Sequence, residues 1–212
     1  MKVKNLLGVA ALCLFCGSAS AQVTDYNGIY FQYNPSWLSY NVSGVSSDYI
    51  HGFTLGYTKS FGIAGDNVPL FLEVGGNLQY GFHRDSETIA SVKVSETLNL
   101  FSLNIPVNFG YSIRLGDNLA LNPYVGIKMR LNLVGTVVDK VGDQSTTFNL
   151  YSKDDMGGSD NTWNRFQIGW QAGAKMVITE AFFVEAGYYM DFNRIASNTR
   201  FSSVNLGFGY CF

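Results

Sequence analysis

Internal disulfide bonds are not expected in this chain, because two of its three cysteines lie within the first 21 residues and only Cys211 follows them. Long apolar runs are missing as well. After residue 21 no stretch approaches the about 18 consecutive apolar residues of a transmembrane helix, which excludes a helical membrane protein. Proline is scarce, with 4 residues in 212, and charged residues make up only 14%. This composition is unlike that of a highly charged disordered chain.

The amino terminus has the composition of a secretory signal peptide. Lys2 and Lys4 precede an apolar run at residues 6–15, and Ala19-Ser20-Ala21 forms an A-x-A cleavage site before Gln22. We therefore expect a signal peptide at residues 1–21 and one domain at residues 22–212. Cleavage leaves 12 of the 14 basic residues against 16 acidic ones, a net charge of −4. A mildly acidic chain argues against nucleic acid as a partner.

What the chain has in place of apolar runs is alternation of apolar and polar residues. From Phe101 to Ile113 the odd positions are apolar or aromatic, whereas the even positions read Ser, Asn, Pro, Asn, Gly and Ser. Alternate residues of a strand face opposite sides of a sheet, so one face is apolar and the other polar. A soluble strand usually has about five or six residues. A tilted transmembrane strand needs about 9 to 11, which this segment supplies.

Eight such segments occur, and the connections between them are alternately short and long. The segments are residues 28–38, 49–61, 69–82, 97–115, 119–133, 163–178, 182–192 and 201–212. This pattern predicts an all-β fold, an eight-stranded antiparallel up-and-down transmembrane β-barrel in the outer membrane of a Gram-negative bacterium, with both termini in the periplasm. The alternative is a soluble lipocalin-like barrel whose apolar face points inward. Aromatic residues near the ends of the apolar faces favour the membrane barrel.

The last segment carries a second signal. Val204, Leu206, Phe208, Tyr210 and Phe212 alternate with small or polar residues, up to an aromatic carboxy terminus. Outer-membrane barrels typically end this way, and their assembly machinery reads this strand. We therefore predict that Phe208, Tyr210 and Phe212 form an assembly signal for that machinery.

Two strands carry a family resemblance. The segment IPVNFGY at residues 105–111 and the segment NPYVG at residues 122–126 resemble consecutive strands of small outer-membrane β-barrel proteins of Bacteroidota, the PorT-like barrels. The same architecture recurs in OmpA-, OmpX- and OmpW-like barrels. The resemblance implies a location and a fold, and it implies no active site.

Charged residues recur on the polar faces of the middle strands. They are Glu73, Arg114, Lys128, Arg130, Lys175, Glu185 and Asp191. The interior of an eight-stranded barrel is just wide enough for side chains to fill, and buried charges must pair. We therefore predict an interior charge network that plugs the barrel, with Glu185 and Lys175 as candidate partners on adjacent strands. The alternative is a narrow channel for small or hydrophobic solutes, as in OmpW-like barrels.

Other candidate sites are weaker. The segment His83-Arg84-Asp85-Ser86 has the residue types of a lipid-modifying outer-membrane enzyme, but neighbours in a strand point apart, so we predict no enzyme. His51 lies two residues from Phe53 in the same strand and is therefore predicted to face outward with it. Three aspartates at residues 152–161 lack the spacing of a calcium loop, and this segment is interpreted as a solvated acidic loop. No pattern indicates a cofactor or metal.

The expected role is therefore structural or interactive. The loops at residues 41–48, 83–96, 135–162 and 194–200 are the candidate recognition elements, because loops on a rigid scaffold often carry binding. The expected partners are outer-membrane lipid and lipopolysaccharide, the assembly machinery, and an external ligand or protein that the sequence does not identify.

Overall fold

The computed structural model describes residues 24–40, 49–63, 68–89, 92–158, 162–197 and 199–212. The signal peptide predicted at residues 1–21 and the loop predicted at residues 41–48 lie outside the described residues. Within the described ranges, no helix combines the length and apolar content needed to cross a membrane.

The described residues form eleven β-strands. They are β1 (Tyr26–Tyr33), β2 (Ser36–Tyr40), β3 (Tyr49–Gly62), β4 (Leu70–Ile89), β5 (Val92–Tyr111), β6 (Ile113–Gly116), β7 (Leu119–Val141), β8 (Gln144–Asn149), β9 (Phe166–Ile178), β10 (Phe182–Asp191) and β11 (Thr199–Cys211). Strand β1 pairs with both β3 and β11, so the order β1, β11, β10, β9, β7, β5, β4, β3 forms a ring of eight strands. Every neighbouring pair is antiparallel, as predicted.

A proline divides the first strand position of the ring into two short strands. Strand β1 ends at Tyr33 and β2 begins at Ser36, because Pro35 has no N–H for a ladder bond. The Pro35 carbonyl still accepts a hydrogen bond from the Val204 amide at 3.0 Å, and the two short strands together fill one position between β3 and β11.

The two faces of each strand differ as the alternation predicts. On β5, Ile105 is 41% exposed on the outer face, whereas Asn104 is 1% exposed inside the ring. The same division holds on β7, β9 and β10, where phenylalanine, isoleucine and valine side chains face outward. This outward apolar face contradicts the lipocalin-like alternative and confirms the predicted assignment of faces.

The two ends of the ring differ in the length of their connections. Asp117 and Asn118 connect β6 to β7, and residues 179–181 connect β9 to β10; we call this the short-turn end. At the opposite end, here the hairpin end, β4 and β5 continue beyond the barrel to Ile89 and Val92. The loop predicted at residues 83–96 is therefore largely a β-hairpin, because Arg84–Thr97 and Glu87–Val94 register pairs extend the ladder.

The long connection at residues 135–161 also differs from the prediction. Strand β7 runs to Val141, turns at Gly142-Asp143 and returns as β8, which pairs with β7 along its whole length. Gly142 has a φ of +59°, which glycine adopts without the Cβ clash of other residues and which suits the first central position of a two-residue hairpin turn. Local hairpin pairing was not visible in the sequence because residues 136–149 mix apolar and polar side chains without regular alternation.

Candidate functional site in the barrel interior

Six of the seven charged residues predicted to face the interior lie there. Glu73, Lys128, Arg130, Lys175, Glu185 and Asp191 are all buried. They come from strands β4, β7, β9 and β10, whose inner faces meet across the barrel.

The charges nearest the short-turn end centre on Lys175. Its Nζ forms a salt bridge with Oε2 of Glu73. The same carboxylate accepts hydrogen bonds from the Tyr26 hydroxyl at 2.6 Å and from Nδ2 of Asn108 at 3.0 Å. A buried carboxylate with one cation and two neutral donors has its lone pairs well satisfied.

Glu185 is held by neutral donors. Nε2 of Gln32 donates to it at 2.9 Å, and the Tyr124 hydroxyl donates to its other oxygen. Tyr124 reaches this position because Gly173 and Gly187 have no side chains, and a Cβ at either would lie 2.7 Å from the Tyr124 hydroxyl. Lys175 is the register partner of Glu185 on β9 but forms its hydrogen bond and salt bridge with Glu73, so the predicted Glu185–Lys175 pair is not the one formed.

The charges nearer the hairpin end centre on Asp191. Its carboxylate forms a salt bridge with the Arg130 guanidinium at 2.9 Å and accepts a hydrogen bond from the Tyr189 hydroxyl. Lys128 places its Nζ 3.7 Å from the centre of the Tyr189 ring, and the Arg130 guanidinium lies 3.8 Å from the centre of the Phe201 ring. Aromatic faces therefore stabilise both cations.

Amide side chains fill the space between these charges. Asn104 donates to Asn77 at 2.7 Å, Asn34 donates to Asn205 at 2.8 Å, and Gln171 donates to Asn108. A central cavity, lined by Glu73, Lys128, Lys175 and Glu185 among others, has a volume of about 20 Å³, which has room for about one water molecule.

Apolar side chains close the interior at both ends. At the hairpin end, Leu150 and Ile195 from the connections pack with Leu100 and Phe201 in one buried cluster. At the short-turn end, Tyr26, Val177, Phe183 and Cys211 form a second cluster. The segment after β8 thus begins with a buried residue, Leu150, whereas Lys153, Asp154 and Asp155 of the predicted solvated acidic loop are exposed.

Tyr151 anchors that segment. Its ring packs where Gly135 lacks a side chain, and the Arg165 guanidinium lies 4.3 Å from the ring centre. Burial raises the pKa of the Tyr151 hydroxyl to about 12. The hydroxyl therefore stays protonated to strongly alkaline pH.

Arg114 departs from the predicted network. It lies on the short strand β6 at the barrel end and is only half-buried. Its guanidinium donates to the Gly116 and Asp117 carbonyls at 3.1 Å, so it supports the adjacent turn. Arg114 lies on the polar face of its strand, as predicted, but the end of this strand lies outside the enclosed interior.

The weaker candidate sites lie on the hairpin and its neighbours. His83, Arg84, Asp85 and Ser86 are consecutive residues of β4, each paired with β5, and do not converge. In residues 152–158, Asp155 accepts a hydrogen bond from the Asn149 amide at 2.9 Å. Across the described residues, no cluster of three or more histidine, cysteine, aspartate or glutamate side chains has metal-binding geometry.

An aromatic group lies on the outer face near the hairpin end. Nδ1 of His51 and the Tyr33 hydroxyl are 2.7 Å apart, and the His51 ring packs against Tyr49 and Phe82. Membrane barrels carry aromatic girdles of this kind at the bilayer surface. His51 thus has the outward position predicted from its parity.

A ring of antiparallel strands with an apolar outer face and a polar interior is the architecture of an outer-membrane β-barrel. The family model for the outer membrane protein beta-barrel domain matches residues 7–212. The chain belongs to this family, and the protein is located in the outer membrane. No curated protein matches the sequence significantly.

Many solved structures share this fold, including two bacterial proteins. Ail, the attachment invasion locus protein of Yersinia pestis, is 17% identical with a TM-score of 0.52, and the match covers 89% of this chain and 99% of that one. Neisserial surface protein A is 15% identical with a TM-score of 0.50, covering 88% of this chain and 97% of that one. At such identities the likeness concerns the fold alone.

Proposed function

We propose that this protein is a barrel with a plugged interior that acts through its hairpin end as an interaction surface. The observation that carries the proposal is the filled interior, whose central cavity of about 20 Å³ has room for about one water molecule. The short-turn end then faces the periplasm and the hairpin end faces outward, as in other outer-membrane barrels. The segments IPVNFGY and NPYVG support a narrower assignment to the PorT-like barrels of Bacteroidota.

The candidate recognition surface is a four-stranded sheet beyond the barrel. We call it the hairpin sheet and define it as residues 84–89, 92–97, 136–141 and 144–149 of β4, β5, β7 and β8. Six residues of extended chain project about 20 Å from the barrel. A sheet of this size offers both a face and two edges to a partner.

The two edges of the hairpin sheet differ in charge. The β4 edge carries Arg84, Asp85 and Glu87, the kind of charged residues that block pairing with another strand. The β8 edge reads QSTTFN and has neither charge nor proline. Val141 and Gln144 close the turn, so the alternation of antiparallel bonds turns the N–H groups of Ser145 and Thr147 away from β7. This edge can accept an extended strand of a partner protein.

The interaction is tested with Thr147→Pro, which removes an outward donor without touching a β7 bond. Partner capture from extracts by the purified barrel should be lost in Thr147→Pro and retained in Thr147→Val, which keeps the backbone donor. Equal capture by both variants would exclude the β8 edge.

The plug is tested by conductance in planar bilayers. The wild-type barrel should be silent, because charged and amide side chains fill its interior. Steady single-channel conductance would overturn the proposal in favour of the narrow channel.

The two other proposed partners, lipopolysaccharide and the assembly machinery, would bind the outer face of the barrel. We propose that lipopolysaccharide contacts the aromatic group around His51, and that the assembly machinery reads the carboxy-terminal strand. Phe208 and Phe212 are 62% and 63% exposed on the outer face, where a partner can reach them. Phe212→Ala should slow insertion into the membrane, whereas Phe166→Ala, on another strand, should not. Equal slowing would show a general effect of aromatic loss.

A further inference from the structure

An apolar groove lies on the outer face where the first and last strands of the ring meet. It has a volume of about 250 Å³, and its lining includes Ile29, Phe31, Leu55, Phe182, Phe208 and Tyr210. These residues belong to four neighbouring strands, β3, β1, β11 and β10. The groove lies on the lipid-facing side, outside the interior network.

The groove is a depression between aromatic pairs. Phe31 and Phe208 are register partners with ring centres 5.9 Å apart, and Phe182 and Tyr210 are register partners at 5.4 Å. Ile29 lies opposite Tyr210 and its shorter side chain leaves the space between the two pairs. Such a slot suits a flexible hydrocarbon chain.

A cation lies beyond one end of the groove. Lys59 is exposed on the outer face of β3, and its register partner is Asn27, two residues from Ile29. Two residues of strand correspond to about 7 Å, toward the short-turn end. Within the described residues Lys59 forms no salt bridge, and its Nζ lies 5.2 Å from the Phe61 ring centre. A lysine on the lipid face near a strand end extends its charge to the bilayer surface.

We propose that this groove is a binding site for a glycerophospholipid, with one acyl chain between the aromatic pairs and the phosphodiester on Lys59. A lipid places its phosphate at the bilayer surface and its chains toward the middle, the same order as Lys59 and the groove along β3. The short-turn end assigns the lipid to the periplasmic leaflet. The site is independent of the interaction proposed for the hairpin sheet.

The experiment uses native mass spectrometry of the folded barrel, delipidated in detergent and then incubated with dioleoylphosphatidylglycerol. The wild type should retain one lipid per barrel. Ile29→Trp, which fills the groove, should reduce retention at least fivefold. The matched control Val125→Trp adds the same ring at a site that is 56% exposed on the outer face of β7 and should retain lipid like the wild type.

The role of Lys59 is tested with dioleoylglycerol, which has the same chains and no phosphate. The wild type should retain phosphatidylglycerol at least fivefold better than dioleoylglycerol, and Lys59→Gln should abolish that preference. Lys93→Gln, on the hairpin sheet, should preserve it. Heat-modified gel mobility confirms that each variant is folded.

Three outcomes would overturn the proposal. They are equal loss of lipid in Ile29→Trp and Val125→Trp, stronger retention of lipid A than of phosphatidylglycerol, and a wild-type dimer that Ile29→Trp dissociates. The last would assign the groove to a second copy of the chain.

Discussion

The two halves of the barrel interior carry opposite charge imbalances. Toward the short-turn end, the single cation Lys175 lies among two carboxylates, Glu73 and Glu185. Toward the hairpin end, the single carboxylate Asp191 lies beside two cations, Lys128 and Arg130. Counted over the described residues, the interior is neutral only because the two halves compensate each other.

The excess charge in each half is stabilised by different chemistry. The extra carboxylate, Glu185, receives hydrogen bonds from Gln32 and Tyr124. The extra cation, Lys128, lies on the face of Tyr189. Lys128 and Glu185 both line the small central cavity, where one water molecule has room to connect the halves. The cost of removing a charge should therefore depend on whether it is the single counterion of its half.

The largest effect is expected for Lys175→Ala, which leaves two buried carboxylates without their cation. The free energy of unfolding should fall by about 3 to 5 kcal/mol. Urea midpoints in lipid vesicles, read by heat-modified gel mobility, measure the change. Lys175→Met is the control for packing, because it keeps a long side chain, and it should be equally destabilising if charge is the cause.

The partner of Lys175 is identified by double variants. Lys175→Ala with Glu73→Ala should cost less than the sum of the single changes, because the salt bridge couples them. Lys175→Ala with Glu185→Ala should be closer to additive. If the double variant with Glu185→Ala departs further from additivity than the one with Glu73→Ala, Lys175 is coupled to Glu185, as strand adjacency predicted.

A slightly smaller effect is expected for Asp191→Ala in the other half. Two cations lose their carboxylate, but the rings of Tyr189 and Phe201 remain beneath them. A loss of about 3 kcal/mol, the lower end for a broken buried pair, should appear in the same urea series. Asp191→Asn keeps the side-chain shape and tests the charge alone. A loss larger than that of Lys175→Ala would show that the aromatic faces contribute little.

A small effect is expected for Glu185→Gln, since the Lys175–Glu73 salt bridge stays intact. The cost should be about 1 kcal/mol, typical of a hydrogen bond, and Glu185→Ala should cost more because Gln32 and Tyr124 then lose their acceptor. If Glu185→Gln costs as much as Lys175→Ala, Glu185 is an essential counterion, and the division into two halves is wrong.

The alternation along each strand predicted which side chains face the barrel interior, but it did not predict which of them contact one another there. The alternation places Lys175, Glu185 and Asp191 inside because the period of a strand is two residues. Pairing depends on how strands on opposite walls approach one another, so the Glu73–Lys175 bridge between β4 and β9 has no local signal. Tyr26 was missed because it precedes the predicted start of the first segment. The hairpins were missed because their strands do not alternate regularly between apolar and polar residues.

The smallest expected effect concerns the turns, which also differ between the two ends. At the hairpin end the turn has glycine at its positive φ, in Gly142, whereas at the short-turn end Thr179 and Glu180 have φ values of 53° and 59°. Residues other than glycine, asparagine and aspartate are strained there, and a β-turn whose two central residues both have positive φ prefers Asn-Gly at those positions. Replacing Thr179 and Glu180 by Asn and Gly should therefore stabilise the barrel by about 1 kcal/mol.

The Gly142→Ala variant should instead be destabilising, but only in the hairpin sheet. Hydrogen exchange of β8 amides should accelerate while the urea midpoint of the barrel stays unchanged. A midpoint that falls with Gly142→Ala would mean that the hairpin sheet and the barrel unfold as one unit.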